Sequence, residues 1–222
     1  MSSATKDNHL LWAGLAGLIG AALTGLGEGL LQYAPGADYA AADYAYFAAI
    51  DTGRQSLGHW LSVLSAPLYL LGYWHLTRNL TPTRPRLGLV LFMGMAYAFM
   101  IANVWLGERF FLAQTVKAIA EGTANTDLLD TFARHNEPFV NVLRIAIAIF
   151  SAAWIWLVAR GESNYPRWMA VCSPLPILAL IFLVYFQAPQ LGGLFLPTAM
   201  NTAHVLVFGM SLLVLSLRKR PT

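Results

Sequence analysis

The chain has 222 residues, 57% of them hydrophobic and only 11% charged, whereas a soluble domain carries roughly 25% charged residues. A soluble core of this size could not hide so much apolar surface, so the composition and a mean hydropathy of +0.55 point to an integral membrane protein. The formal charge of +3 carries no implication of nucleic acid; what matters is where the charges fall.

The apolar runs are long and continuous instead of alternating in segments of about ten residues, which selects helices over a barrel, because in lipid every backbone polar group must be bonded internally. Taking about 20 apolar residues as one crossing, the first span falls near 10–32. Its apolar stretch from Leu10 to Leu26 is long, Lys6 is offset by Asp7, and no small-x-small cleavage site follows, so it reads as a retained span and not a leader. Gly17, Ala21, Gly25 and Gly29 recur at every fourth position. Such a stripe lets another helix approach closely, within a compact bundle or in self-association. The same span ends with Thr24, Glu28 and Gln32 on one face, and Pro35-Gly36 breaks the chain.

The second span, near 56–77, opens with Gln55, His59 and Ser62 at i, i+4 and i+7 and holds Pro67, where a kink is expected. After the turn Thr81 to Arg86, the third span near 87–107 ends on Asn103 and then Glu108-Arg109. The connection from Glu108 to Glu137 is different in kind: Arg109 to Ile119 and Leu128 to Arg134 look amphipathic and are expected to lie on the extracytoplasmic surface as a cap. The fourth span, near 138–159, opens with Glu137, Asn141 and Arg144, again at i, i+4 and i+7. The fifth, near 167–187, carries Cys172, the one cysteine, and Pro174 with Pro176, a second expected kink. The sixth, near 197–217, enters with Thr198, Asn201 and His204. The expected fold is therefore all-α: one transmembrane domain over residues 1–222, a compact bundle of six helices with an amphipathic connection between the third and fourth.

Cytoplasmic loops hold an excess of lysine and arginine. Lys6, Arg78, Arg84, Arg86, Arg160, Arg167, Arg218, Lys219 and Arg220 all fall on one side of a six-span chain, while the other side takes Arg54, Arg109, Lys117 and Arg134 and nearly every acid, including Asp38, Asp43, Asp51, Glu121, Asp127 and Asp130. Both termini are expected in the cytoplasm of a cell whose plasma, or inner, membrane holds the protein. No internal repeat is visible, so the inverted-repeat plan of many transporters finds no support.

With that topology, polar residues on five helices gather in the outer half, either as interfacial side chains snorkelling to water or as the lining of one shared pocket. The one-face spacing favours the pocket. Arg144 sits roughly 10 Å inside the start of its span at about 1.5 Å per residue, where an arginine costs about 2.5 to 3.5 kcal/mol, so it needs a partner. Glu28, Glu108 and Glu137 are candidates and Glu28 is preferred; alternatively Arg144 binds an anionic or carbonyl head group. His59 and His204 are either hydrogen-bonded structural groups or proton donors and acceptors. A metal or haem site completed by His135 and Glu28 is the third reading of these histidines, but no HxxxH, HExxH or CxxC spacing supports it, and the sequence points to no particular metal or cofactor.

The expected function is acid-base chemistry (isomerisation, cyclisation or hydrolysis) on a lipophilic substrate drawn from the membrane lipids. Glu28, His59 and His204 would be catalytic, and Asn103, Glu108, Glu137, Asn141, Arg144 and Asn201 would bind the substrate. Two other classes stay open: a small-molecule transporter or ligand sensor using the same pocket, and an accessory subunit of a membrane complex.

Overall fold

A computed structural model of the protein describes residues 3–37, 39 and 44–218, with the backbone alone at 3–7 and 218. The charges of Lys6, Asp38, Asp43, Arg218, Lys219 and Arg220, used above to orient the chain, lie outside the described side chains. The described residues form helices and no strand: α1 (Ser3–Gln32), α2 (Thr52–Ser65), α3 (Leu68–Leu80), α4 (Pro85–Ala120), α5 (Asp127–His135), α6 (Glu137–Ala159), α7 (Pro174–Gln187), α8 (Pro189–Gly192) and α9 (Ala199–Arg218), with short 3-10 turns at Ala45–Ala49, Arg167–Val171 and Leu196–Thr198. Four helical stretches are long and apolar enough to cross a membrane: Asn8–Gln32, Pro85–Ala120, Asp127–Ala159 and Leu196–Leu217.

The second and fifth expected spans take a different form, and proline is the reason. Pro67 has no N–H to give, and the chain stops one helix at Ser65 and starts another at Leu68. Pro174 occupies the first turn of α7, a position where the missing donor costs nothing, so it begins that 14-residue helix instead of kinking a longer one. The third expected span differs in the other direction. The segment Arg109 to Ile119 is not a surface cap but the continuation of α4, which runs 36 residues to Ala120 and ends where Gly122 takes a positive φ of 72°. Only α5 forms the expected short amphipathic helix, and none of its residues is buried.

Helix α1 packs along α2, α3 and α9, while α4 lies against α6, α3 and α2. The small residues of α1 make this possible: a Cβ on Gly17 would lie 2.3 Å from the Gly72 Cα, and one on Gly58 2.5 Å from the Gly27 carbonyl oxygen. The rest of the stripe is used within the chain, since Ala21 is fully buried and Gly25 and Gly29 face Asn201 and Thr198. An aromatic core of Tyr69, Tyr73, Phe99, Phe150, Trp154 and Phe208 fills the middle of the bundle.

The two ends of the bundle differ. At the basic end, Arg84 and Arg160 bond Glu162 at 2.8 and 2.9 Å, and the Asn164 N–H donates to the Asn79 carbonyl at 2.9 Å. At the other end the 3-10 turn after α1 folds down on the far half of α4, where Phe47, Ile50, Leu112, Ala113 and Val116 form a separate small core. Lys117 clamps that cap by donating to the Ile50 carbonyl and the Thr52 hydroxyl.

Candidate functional site

Under this cap lies a cavity of about 620 Å³, within the size range of pockets that enclose a small ligand. Its walls are chemically unequal. One is polar and comes from α1 and α9, because Thr24, Glu28 and Gln32 at four-residue spacing fall on one helical face and meet Asn201 across the crossing. Opposite it, α6 and α7 supply Leu143, Ile147, Leu178 and Phe182, with Phe99 and Ala102 of α4 between them.

Glu28 is the centre of the polar wall. Its side chain is buried, Oε1 accepts from the Gln32 amide at 3.0 Å, and Oε2 accepts from the Asn201 amide. Asn201 is itself oriented by the Tyr69 hydroxyl, which donates to its Oδ1. Both carboxyl oxygens are thus held as acceptors, with no cation in ion-pair contact among the described residues. Thr24 shares a hydrogen bond of 2.8 Å with Ser65 and closes the lower edge of this wall.

Arg109 forms the roof. It is 7% exposed, bonds Glu137 at 3.0 Å, and stacks over the Trp105 ring at 4.1 Å, with the Tyr44 ring 5.6 Å away. The Tyr44 hydroxyl donates to the same Glu137 oxygen at 3.0 Å. Among the described residues only one guanidinium nitrogen is used, and Nε and Nη1 find no partner. A buried donor without an acceptor is costly, so this is an unusual state for a group lining a void. In the cap, burial pushes the Tyr46 phenol up to about 12, and burial together with the Glu137 carboxylate raises that of Tyr44. Both are therefore neutral hydroxyls at physiological pH.

The other sequence-derived candidates are distributed as follows. Glu28, Asn103, Glu137, Arg144 and Asn201 all line the cavity, and the Asn103 Oδ1 has no partner among the described residues. Arg144 does not pair with Glu28: it is exposed and donates to Asn141 at 3.1 Å, while Glu137 goes to Arg109. The reason is azimuth, since Arg144 and Asn141 share the outer face of α6 and Arg109 reaches Glu137 from the neighbouring α4. Glu108 accepts a hydrogen bond from Asn136 and stands outside the lining.

His204 lies one turn below Asn201, fully buried. Its Nδ1 must carry the proton, because its partner at 2.6 Å is the Met200 carbonyl, so a neutral ring accepts at Nε2 from the Tyr73 hydroxyl at 2.7 Å. It touches the cavity only through Tyr69 and Phe99, whose rings it meets edge-on. His59 is placed elsewhere, among Trp60, Phe110 and Phe111. No group of three or more metal-ligating side chains occurs among the described residues.

Sequence reasoning missed Arg109 and Tyr69 as site residues. A signal for Arg109 existed: Arg109, Leu112, Ala113 and Val116 follow helical spacing and are all buried. Tyr69 and Tyr73, one turn apart on α3, likewise share a face.

Residues 5–218 match the model of a family described only as of unknown function, DUF6796. Comparisons with curated proteins and with solved structures give no match.

Proposed function

We propose that this chain, which belongs to the DUF6796 family, is a membrane enzyme that encloses the reacting end of a lipophilic molecule beneath its cap and moves a proton on it with Glu28. The observation that carries this reading is the setting of Glu28: a buried carboxylate with no cation in ion-pair contact among the described residues, held as a double acceptor by Gln32 and Asn201, in a cavity lined mostly by aliphatic and aromatic side chains. A base held in place by hydrogen bonds and shielded from bulk water suits proton transfer, since its geometry needs no reorganisation during reaction. Taking a proton from one carbon and returning it to another would make the reaction an isomerisation; cyclisation and hydrolysis call on the same group. Asn103, with a carbonyl oxygen, and Arg109, with N–H groups, that no described residue uses, would orient the reacting end of the substrate. His204 would act through the Tyr73 hydroxyl as a positioning group and not at the substrate itself.

In this reading the chain crosses the membrane six times, α2 with α3 and α7 with its preceding turn serving as the two interrupted crossings. The end holding Arg78, Arg84, Arg86, Arg160 and Arg167 faces the cytoplasm, and the cavity lies toward the opposite surface of a cell membrane.

Chromatography and mass spectrometry of lipids extracted from the purified protein test the proposal. Glu28→Gln keeps the size of the side chain and one acceptor oxygen but not its basicity, so that variant should retain unconverted substrate where wild type carries product or nothing. Identical bound lipid in both, in mass and in retention, would show that Glu28 performs no chemistry.

A further inference from the structure

The way into the cavity is written in which lining residues are exposed. Arg144 on α6 and Leu175, Ala179 and Phe182 on α7 are exposed, and every other lining residue is buried or half-buried. All four sit on the two helices that border one seam. Helix α7 is lightly held along it: only Pro174, Ile177 and Leu178 are buried, and the Ser151 hydroxyl anchors its first turn by accepting from the Leu175 N–H at 3.1 Å. Beyond that anchor, on the side of the cap, the seam is flanked by side chains and not sealed by a crossing of small residues such as the one that joins α1 to α3.

Arg144 stands at this opening with a charge that no described residue neutralises. No carboxylate lies within ion-pair distance among the described residues, and its hydrogen-bond partner is the neutral amide of Asn141. One turn further along the same face, Ala148 is exposed and apolar. A guanidinium displayed on an apolar helix face well inside a crossing is costly unless an anion meets it. The polar wall that carries Glu28 belongs to other helices, so an anion at Arg144 and the carboxylate of Glu28 would sit at separate parts of the cavity.

From these two features we infer that the cavity is filled sideways from the bilayer, through the α6–α7 seam, by a single-tailed amphiphile whose anionic head group, a carboxylate or a phosphate, binds Arg144. The tail lies along Leu175, Ala179 and Phe182. This rests on the reading of the cavity as an amphiphile site and names the class of molecule that occupies it. The charge selects the occupant: a neutral lipid would leave Arg144 unpaired, and a free anion would leave the apolar wall unused.

The test is titration of the full-length protein in a neutral detergent with oleate, lysophosphatidate and monoolein, followed by native mass spectrometry, with inorganic phosphate as competitor. Wild type should bind the two anionic amphiphiles about tenfold or more tightly than monoolein, as expected for a charge-assisted contact, and inorganic phosphate should not displace them. Arg144→Gln should bind all three at the affinity of monoolein, and Arg144→Lys should keep part of the preference. Monoolein binding reports that each variant is folded, because it needs the seam but not the charge. Ala179→Phe and Ala179→Trp narrow the seam in two steps and should weaken all three amphiphiles in that order. A preference that survives in Arg144→Gln, or displacement by inorganic phosphate, overturns the head-group assignment. Affinities unchanged by both Ala179 substitutions overturn the lateral path. A wild type that binds the three amphiphiles equally overturns the anion and leaves the cavity reading standing, whereas one that binds none of them removes both.

Discussion

At the basic end of the bundle, the His75 Nδ1–H donates to the Leu10 carbonyl at 2.7 Å, Nε2 accepts from the Ser211 hydroxyl at 2.8 Å, and the Ser211 oxygen accepts from Tyr165 at 2.8 Å. At the cavity end, Arg109 leaves two N–H groups and Asn103 an oxygen without a partner among the described residues. Both clusters are polar groups inside the same bundle, yet one is completed by described side chains and the other is not. Native interiors satisfy nearly all buried polar atoms. A completed set holds helices together; an uncompleted set beside a void is what the proposed ligand would complete.

The contrast can be broken or sharpened by measurement. His75→Ala removes the hub of the completed cluster, taking the acceptor from the Ser211 O–H and one of its bonds from the Leu10 carbonyl, so it should cost about 2 to 4 kcal/mol. Thermal or chemical denaturation in detergent checks this, and a loss below about 1 kcal/mol would put the two clusters on the same footing. Next in size is an alkaline effect at the cap. The Tyr46 phenol titrates near 10.0 when unfolded and at about 12 in place. Below pH 10.0 its contribution is fully present; as pH rises from there toward about 12 the unfolded chain loses a proton that the folded one keeps, so stability falls. Tyr46→Phe should flatten part of that slope in melting curves taken across the interval, and an unaltered slope would remove Tyr46 from the account. The smallest effect is the most discriminating: Asn103→Ala, which deletes an oxygen that has no partner, should leave stability within about 0.5 kcal/mol. A larger cost would mean that the cavity is as finished as the basic end.

Much of this was legible in the sequence. Each apolar run became helical, and the stripe of Thr24, Glu28 and Gln32 did meet Asn201 at one cavity. What spacing along one helix cannot give is the azimuth of its neighbours. Glu28 and Arg144 were each placed on a plausible face, but which carboxylate an arginine meets depends on how helices are rotated about their axes, and the ion pair went to Arg109 and Glu137. Proline was also ambiguous, because the same residue can bend a helix or begin one; Pro67 and Pro174 begin helices here. Arg109 escaped notice because the third span was cut at the length of one crossing, when its buried pattern continued through Val116.

That continuation has a mechanical meaning. With 36 residues at about 1.5 Å each, α4 is about 54 Å long, where a bilayer core is about 30 Å thick. Phe99 and Ala102 in the cavity wall, Arg109 in its roof and Lys117 in the clamp on the cap all ride on this one strut. Any force applied to the protruding portion, by a neighbouring protein or by the membrane surface, reaches the cavity as leverage, without a hinge in between to absorb it.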